Sequence, residues 1–169
     1  MARALLLQPF MDVRPPILIV DDEHGPREAL RLVLTAEFEV ETCASAGEAL
    51  ERLRSRRFAI VLLDLSMPGD LSGIEILREI RRKQIPVEAI MLTGNGSLDS
   101  AVECLRLRAF DYVAKPFGPG SVLAAVRAAT EAWNEPRRAR ESTLGELSHE
   151  VRAPLQSPGI DGQAAHRAG

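Results

Sequence analysis

The stretch "PPILIVDDEHG", residues 15–25, runs four aliphatic residues, Ile17 to Val20, directly into three acids, Asp21, Asp22 and Glu23. A continuous apolar run bounded by prolines and by charge reads as a strand buried on both faces, the habit of parallel sheets. Carboxylates gathered at the end of such a strand repel one another, so a positive group is expected among them. Two more runs of the same kind follow, "AIVLL" (59–63) and "AIML" (89–92). "FEVETC" (38–43) alternates more and reads as an edge strand, and "FDYVAK" (110–115) is a fifth, short candidate.

Helical patterns fill the gaps. Pro26 suits a first helical position, and Ala29, Leu30, Val33 and Leu34 follow it as an apolar face. Ser45 with Glu48, and Ser72 with Glu75, have the spacing of capping boxes. Leu98, Val102 and Leu105 share one face of a fourth helix. Pro119 opens a fifth, striped by Val122, Val126, Ala129 and Trp133. All these stripes are expected to face the core. Strand and helix therefore alternate five times, which implies an α/β fold: a doubly wound five-stranded parallel sheet with helices on both faces. Ligands in such sheets bind beyond the carboxyl ends of the strands.

The residues at those ends carry the chemistry. The first strand ends in Asp21 and Asp22, the third in Asp64, the fourth in Thr93 and the fifth in Lys115. Three carboxylates call for a cation, and an all-oxygen ligand set suits a hard ion such as Mg²⁺. Lys115 adds a second positive charge and Thr93 a hydrogen-bond donor. These are the parts that stabilise a transferring phosphoryl group. Carboxylates form acyl phosphates, and Asp64, alone on the central strand, is the candidate nucleophile, leaving Asp21 and Asp22 to the metal. Taken singly, each residue has a plainer account as a solvated loop acid, a helix cap, a turn threonine or a surface lysine. Five of them at the ends of the right strands are poorly explained that way.

Four motifs carry a family resemblance: "LIVDDE" (18–23), "LLDLSMP" (62–68), "MLTGNGS" (91–97) and "AFDYVAKPF" (109–117). The chain resembles the receiver domain of two-component response regulators over residues 15–134. The resemblance implies strand order 2-1-3-4-5. It implies that a partner histidine kinase or histidine phosphotransfer protein donates phosphate to Asp64. Asp22, Asp64 and the backbone carbonyl of Ser66 would ligate Mg²⁺, with Asp21 acting through a water. Thr93 and Lys115 would bind the phosphoryl oxygens. Thr93 and Tyr112 would form the switch that alters the partner preference of the face built by the fourth helix, fifth strand and fifth helix. Ser66 and Asn95 would tune hydrolysis of the aspartyl phosphate. Two departures stand out: Gly73 comes five residues after Pro68, one more than is usual, and Arg108 stands where a glycine commonly precedes the Ala-Phe-Asp-Tyr stretch.

Residues 1–14 read as a disordered leader, with Met11 an alternative start, and 135–143 as a linker. Residues 144–157 then place Leu144, Leu147, Val151 and Leu155 on a coiled-coil-like seam. His149 lies about 140° round that helix from Leu144, away from the seam. "SHEVRAPL" (148–155) resembles the H-box of a histidine-kinase dimerisation helix, which would make His149 a phosphohistidine candidate. Pro158 and Gly159 end the pattern, and 158–169 read as a disordered tail with no ATP-binding domain to follow. The segment is thus a fragment of a hybrid regulator-kinase, a homodimerisation helix or a phosphorelay histidine, in that order of preference.

The net charge of −3 gives no basic footprint for nucleic acid. No apolar run reaches membrane length, and Cys43 and Cys104 fit buried, reduced thiols, so a cytoplasmic protein is expected. The competing function is a phosphorylation-independent interaction or dimerisation module. A phosphatase with an aspartate nucleophile would want a second Asp two residues on, where Ser66 stands.

Overall fold

The computed structural model describes residues 14–134, apart from Asp70 and Asn95. Five strands, β1 (Pro16–Val20), β2 (Glu39–Cys43), β3 (Ile60–Asp64), β4 (Glu88–Thr93) and β5 (Asp111–Ala114), form one sheet in the order β2-β1-β3-β4-β5. All four pairings are parallel. Between and after the strands run α1 (His24–Leu34), α2 (Ala46–Ser55), α3 (Gly73–Arg82), α4 (Leu98–Arg106) and α5 (Pro119–Asn134). The expected fold class and strand order are both present. The leader, the linker, the H-box segment and the tail lie outside the described residues.

Alternation along each central strand divides the core into two layers. Ile17, Ile19, Ile60, Leu62, Ile90 and Leu92 face α1 and α5, meeting Leu30, Leu34, Val122, Val126 and Ala129. Leu18, Val20, Val61, Leu63, Ala89 and Met91 face the other way, onto Ala49 and Leu53 of α2 and Ile76, Leu77 and Ile80 of α3. Both thiols are buried and unpaired. Burial pushes the Cys43 thiol up to about 12, so it serves as a small apolar filler.

Parallel register is what brings the strand ends together. Val20 pairs with Leu63, Asp64 with Leu92 and Thr93 with Ala114, so the residues after each strand emerge along one rim.

Two helix details differ most from the sequence reading, besides Ala29 of α1 and Trp133 of α5, which are exposed rather than core-facing. Helix α1 begins at His24, so Pro26 is its third residue rather than its first. It is still tolerated there, because first-turn N–H groups have no partner within the helix. The second difference is larger. The apolar stripe of α4 does not face the core: Leu98 is 80% and Leu105 73% exposed, and Val102 lies at the edge of exposure. Only Cys104 of this helix is buried. The cause is the sheet edge. Strand β5 has four residues, all exposed or half-buried, and offers α4 too little apolar area to cover a stripe. Replacing both Leu98 and Leu105 with glutamine is therefore expected to change unfolding free energy in urea by less than about 0.5 kcal/mol, as for surface sites.

Helices α3 and α4 end alike. Gln84 and Arg108 adopt positive φ, 52° and 54°. The N–H of Ile85 bonds to Ile80 O and that of Gln84 to Arg81 O; the N–H of Ala109 bonds to Cys104 O and that of Arg108 to Leu105 O. Both ends are Schellman turns whose left-handed residue would ordinarily be glycine. Arg81 braces the second turn, donating to the carbonyls of Leu107, Arg108 and Val87. The sequence departure at Arg108 thus falls on a strained backbone position. A left-handed conformation costs a side-chain-bearing residue about 1–2 kcal/mol. Arg108→Gly is expected to raise urea-unfolding stability by about 0.5 kcal/mol, after the extra freedom glycine gives the unfolded chain is subtracted.

Candidate functional site

The loop after β1 turns immediately, because the Glu23 N–H donates to Asp21 Oδ1 at 2.9 Å. This aims the Asp21 carboxylate inward, fully buried. Lys115, at the end of β5, reaches across the rim and places Nζ 2.9 Å from Asp21 Oδ2 and 3.4 Å from Asp64 Oδ1. The Lys115–Pro116 peptide that follows is cis. Asp64 is 2% exposed at the end of central β3, and the Ser66 N–H lies 3.4 Å from its Oδ1. Asp21, Asp22 and Asp64 each offer a carboxylate oxygen within 4.8 Å of the other two.

Charge explains the rest of the site. At about 4.8 Å and an effective dielectric near 20, two like charges repel by about 3–4 kcal/mol. Lys115 offsets one of three negative charges, leaving two. The Asp64 carboxyl stands above the usual carboxylate range because burial disfavours its charge; the Lys115 ammonium pulls it down and Asp21 pushes it up. Asp22 Oδ1 is buried with no hydrogen-bond partner. A buried carboxylate oxygen without a donor, beside two further carboxylates, fits a hard divalent cation such as Mg²⁺.

Thr93, 3% exposed at the end of β4, also presents a buried hydroxyl without a partner. Tyr112 on β5 is half-buried, and its ring reaches the loop after β4 beside Gly96 and Thr93. The fold therefore brings together Asp21, Asp22, Asp64, Thr93 and Lys115, with the Ser66 backbone and the Tyr112 ring at the margin. Asn95 and His149 lie outside the described residues. An open depression of about 470 Å³, lined by Pro26, Gly94, Lys115, Pro116 and Phe117, leads up to Lys115.

Sequence reasoning passed over three contributors. Arg27 donates to the backbone carbonyl of Asp21 at 2.6 Å and to that of Asp22 at 3.3 Å, pinning the acidic loop from beneath. A cation early in a helix opposes the macrodipole, and that mismatch was the available signal. Gly73 opens α3 flush against the backbone of Asp64: a Cβ there would overlap the Asp64 carbonyl oxygen and come within 2.9 Å of its carbon. A Cβ on Gly96 would likewise overlap a neighbour, there the end of the Tyr112 side chain. The last two are invisible in sequence, because they depend on what another strand places opposite the glycine.

Comparison with known proteins agrees with this geometry. Residues 17–127 match the family model of the response regulator receiver domain. The C4-dicarboxylate transport transcriptional regulatory protein DctD of Rhizobium meliloti is 34% identical over 122 residues, 72% of this chain and 26% of that protein. The transcriptional regulatory protein SrrA of Staphylococcus aureus is 40% identical over 114 residues, 66% of this chain and 46% of that protein. The chain thus spans less than half the length of either relative. Among solved structures, a CheY-like receiver domain protein from Methanospirillum hungatei JF-1 superposes with a TM-score of 0.69 at 31% identity, covering 72% of this chain and 98% of that one. With its sheet order, its convergent acids and a family match over most of its described length, this chain belongs to the response regulator receiver domains of two-component systems.

Proposed function

We propose that Asp64 is the phosphoacceptor of a two-component phosphorelay. A phosphohistidine on a partner kinase or phosphotransfer protein is the donor. One carboxylate oxygen of Asp64 attacks phosphorus, the P–N bond breaks, and the leaving imidazole takes a proton from solvent, which leaves an acyl phosphate on Asp64. The observation that carries this reading is the Asp64 carboxylate, 2% exposed, with Lys115 Nζ 3.4 Å away and two further acids within 4.8 Å. Lys115 holds a phosphoryl oxygen, and Thr93 donates its unpartnered hydroxyl to another. Asp22, Asp64 and the Ser66 carbonyl would hold Mg²⁺, with Asp21 acting largely through a water. When bound, the ion offsets the charge of the incoming phosphoryl group.

Thr93 and Tyr112 then alter the face of α4, β5 and α5, where the exposed Leu98, Val102 and Leu105 offer apolar area to a downstream protein. Ser66 and Asn95 set the hydrolysis rate. The protein works in the cytoplasm, where the unpaired thiols of Cys43 and Cys104 stay reduced. In sequence, residues 144–157 resemble part of the H-box segment of a histidine kinase, in which His149 would be the phosphorylatable side chain.

The test is intact mass after incubation with a small phosphodonor and Mg²⁺. Wild type is expected to gain one phosphoryl group and Asp64→Ala none. Equal labelling of the two proteins, or none on wild type, refutes the assignment and leaves the phosphorylation-independent interaction module, which the exposed stripe of α4 favours. Chelation of Mg²⁺ is expected to slow labelling at least about tenfold, since a divalent cation contributes several kcal/mol at such sites.

A further inference from the structure

The loop after β4 contains two glycines that look equivalent in sequence, Gly94 and Gly96. A Cβ on Gly94 would meet nothing within 4 Å. A Cβ on Gly96 would overlap the Tyr112 hydroxyl oxygen, with Tyr112 Cζ at 2.9 Å and Thr93 Oγ1 at 3.0 Å. Gly96 does not have the positive φ that would itself call for glycine. Space is therefore the whole reason for glycine here: the end of the Tyr112 side chain occupies the volume that a side chain at 96 would fill.

We propose that Gly96 is the positioning residue that allows Tyr112 to stand inward beside Thr93. A side chain at 96 excludes that rotamer, whatever the phosphorylation state of Asp64. The group that must yield is the far end of a side chain on an edge strand, not backbone. A methyl at 96 therefore turns the ring outward and leaves the fold intact. The consequence for switching rests on the proposed roles of Asp64 and Tyr112, but the steric gate itself does not.

Tyr112 is the single tyrosine of the chain, so ¹³C-tyrosine labelling gives one ring signal whose broadening by a soluble nitroxide reports exposure. In Gly96→Ala the broadening is expected to rise at least about twofold over wild type without any phosphodonor, and to stay there with phosphodonor and Mg²⁺ present. Gly94→Ala is expected to leave the signal where it is. A Gly96→Ala signal coincident with wild type overturns the proposal. A second readout does not need the ring signal. Any lowering of the urea midpoint by Gly96→Ala is expected to vanish in a Tyr112→Ala background, because the two residues compete for one volume. An equal lowering in both backgrounds also overturns it. If instead the ring of Gly96→Ala is exposed while phosphodonor leaves the wild-type ring unmoved, the gate stands and the Tyr112 switch reading fails.

Discussion

Lys115→Met is expected to lower the unfolding free energy by about 3 kcal/mol in metal-free buffer at neutral pH. Lys115 Nζ lies 2.9 Å from a carboxylate oxygen of Asp21, a residue with no solvent exposure, and 3.4 Å from Asp64. Removing one partner of a buried pair leaves an uncompensated charge and costs about 3–5 kcal/mol. The lysine is 16% exposed, which places it at the low end of that range. Methionine keeps much of the stem's packing, so the loss is electrostatic, and its pH dependence has a definite sign. Burial already raises the Asp64 carboxyl, with Lys115 holding it down, so removing the ammonium raises it further. An acid raised in the folded state binds more protons folded than unfolded. Stability is then gained as pH falls through the folded-state value, and the cost of the substitution shrinks as the solution is made acidic. Millimolar Mg²⁺ is expected to restore more stability to the variant than to wild type, because three unopposed carboxylates hold a cation more tightly than two. A cost independent of both pH and Mg²⁺ would assign Lys115 a packing role only. Labelling of Asp64 by a small phosphodonor is expected to slow by at least about 100-fold, the usual consequence of removing one preorganised charge partner.

What the sequence revealed divides by range. The sheet was legible because Ile17 to Val20, Ala59 to Leu63 and Ala89 to Leu92 are continuous apolar runs, a pattern that burial on both faces enforces. The rim was legible because parallel register aligns strand ends, so the residue after each run names a residue of the site. Helix α4 was misread for a matching reason. Periodicity reports that one face is apolar, not whether anything covers it, and beside a four-residue edge strand nothing among the described residues does. The roles of Arg27, Gly73 and Gly96 were missed because they are set by approach across the chain; Gly73 stood out only for the length of the loop before it. Arg108 was noticed as a departure, and its left-handed backbone supplies the physical cause.

Gly73→Ala is expected to be among the most damaging single-methyl additions in the described domain. Gly73 is the first residue of α3, with ordinary helical backbone; its φ is not in the positive range where only glycine is at ease. The obstacle is space. The added Cβ would overlap the carbonyl oxygen of Asp64 and lie 2.9 Å from its carbon and 3.3 Å from Leu65 Cα. All three are backbone atoms of the central strand or its continuation, and Asp64 pairs in register with Leu92 of β4. No rotamer change relieves such a contact, so either α3 retreats or the end of β3 bends. Retreat would pull Ile76, Leu77 and Ile80, none of them exposed, away from the sheet. Overpacking of this kind costs about 1–3 kcal/mol, and a rigid neighbour puts it at the upper end. The same shift bears on Asp64. Its carboxylate belongs to the very residue whose carbonyl is struck, and a displacement of about 1 Å can cost 100-fold in rate. Urea unfolding should therefore show a loss near 3 kcal/mol, and phosphodonor labelling of the folded variant a slowing of about 100-fold. The extra residue between Pro68 and Gly73 makes the loop longer, and a longer loop tolerates helix movement more easily than a taut one. Intact stability with slowed labelling would mean that α3 holds and β3 bends. Lost stability with normal labelling would mean that α3 retreats and Asp64 stays put. A variant unaffected in both would show that the close seating of Gly73 on Asp64 is not what fixes the phosphoacceptor in place.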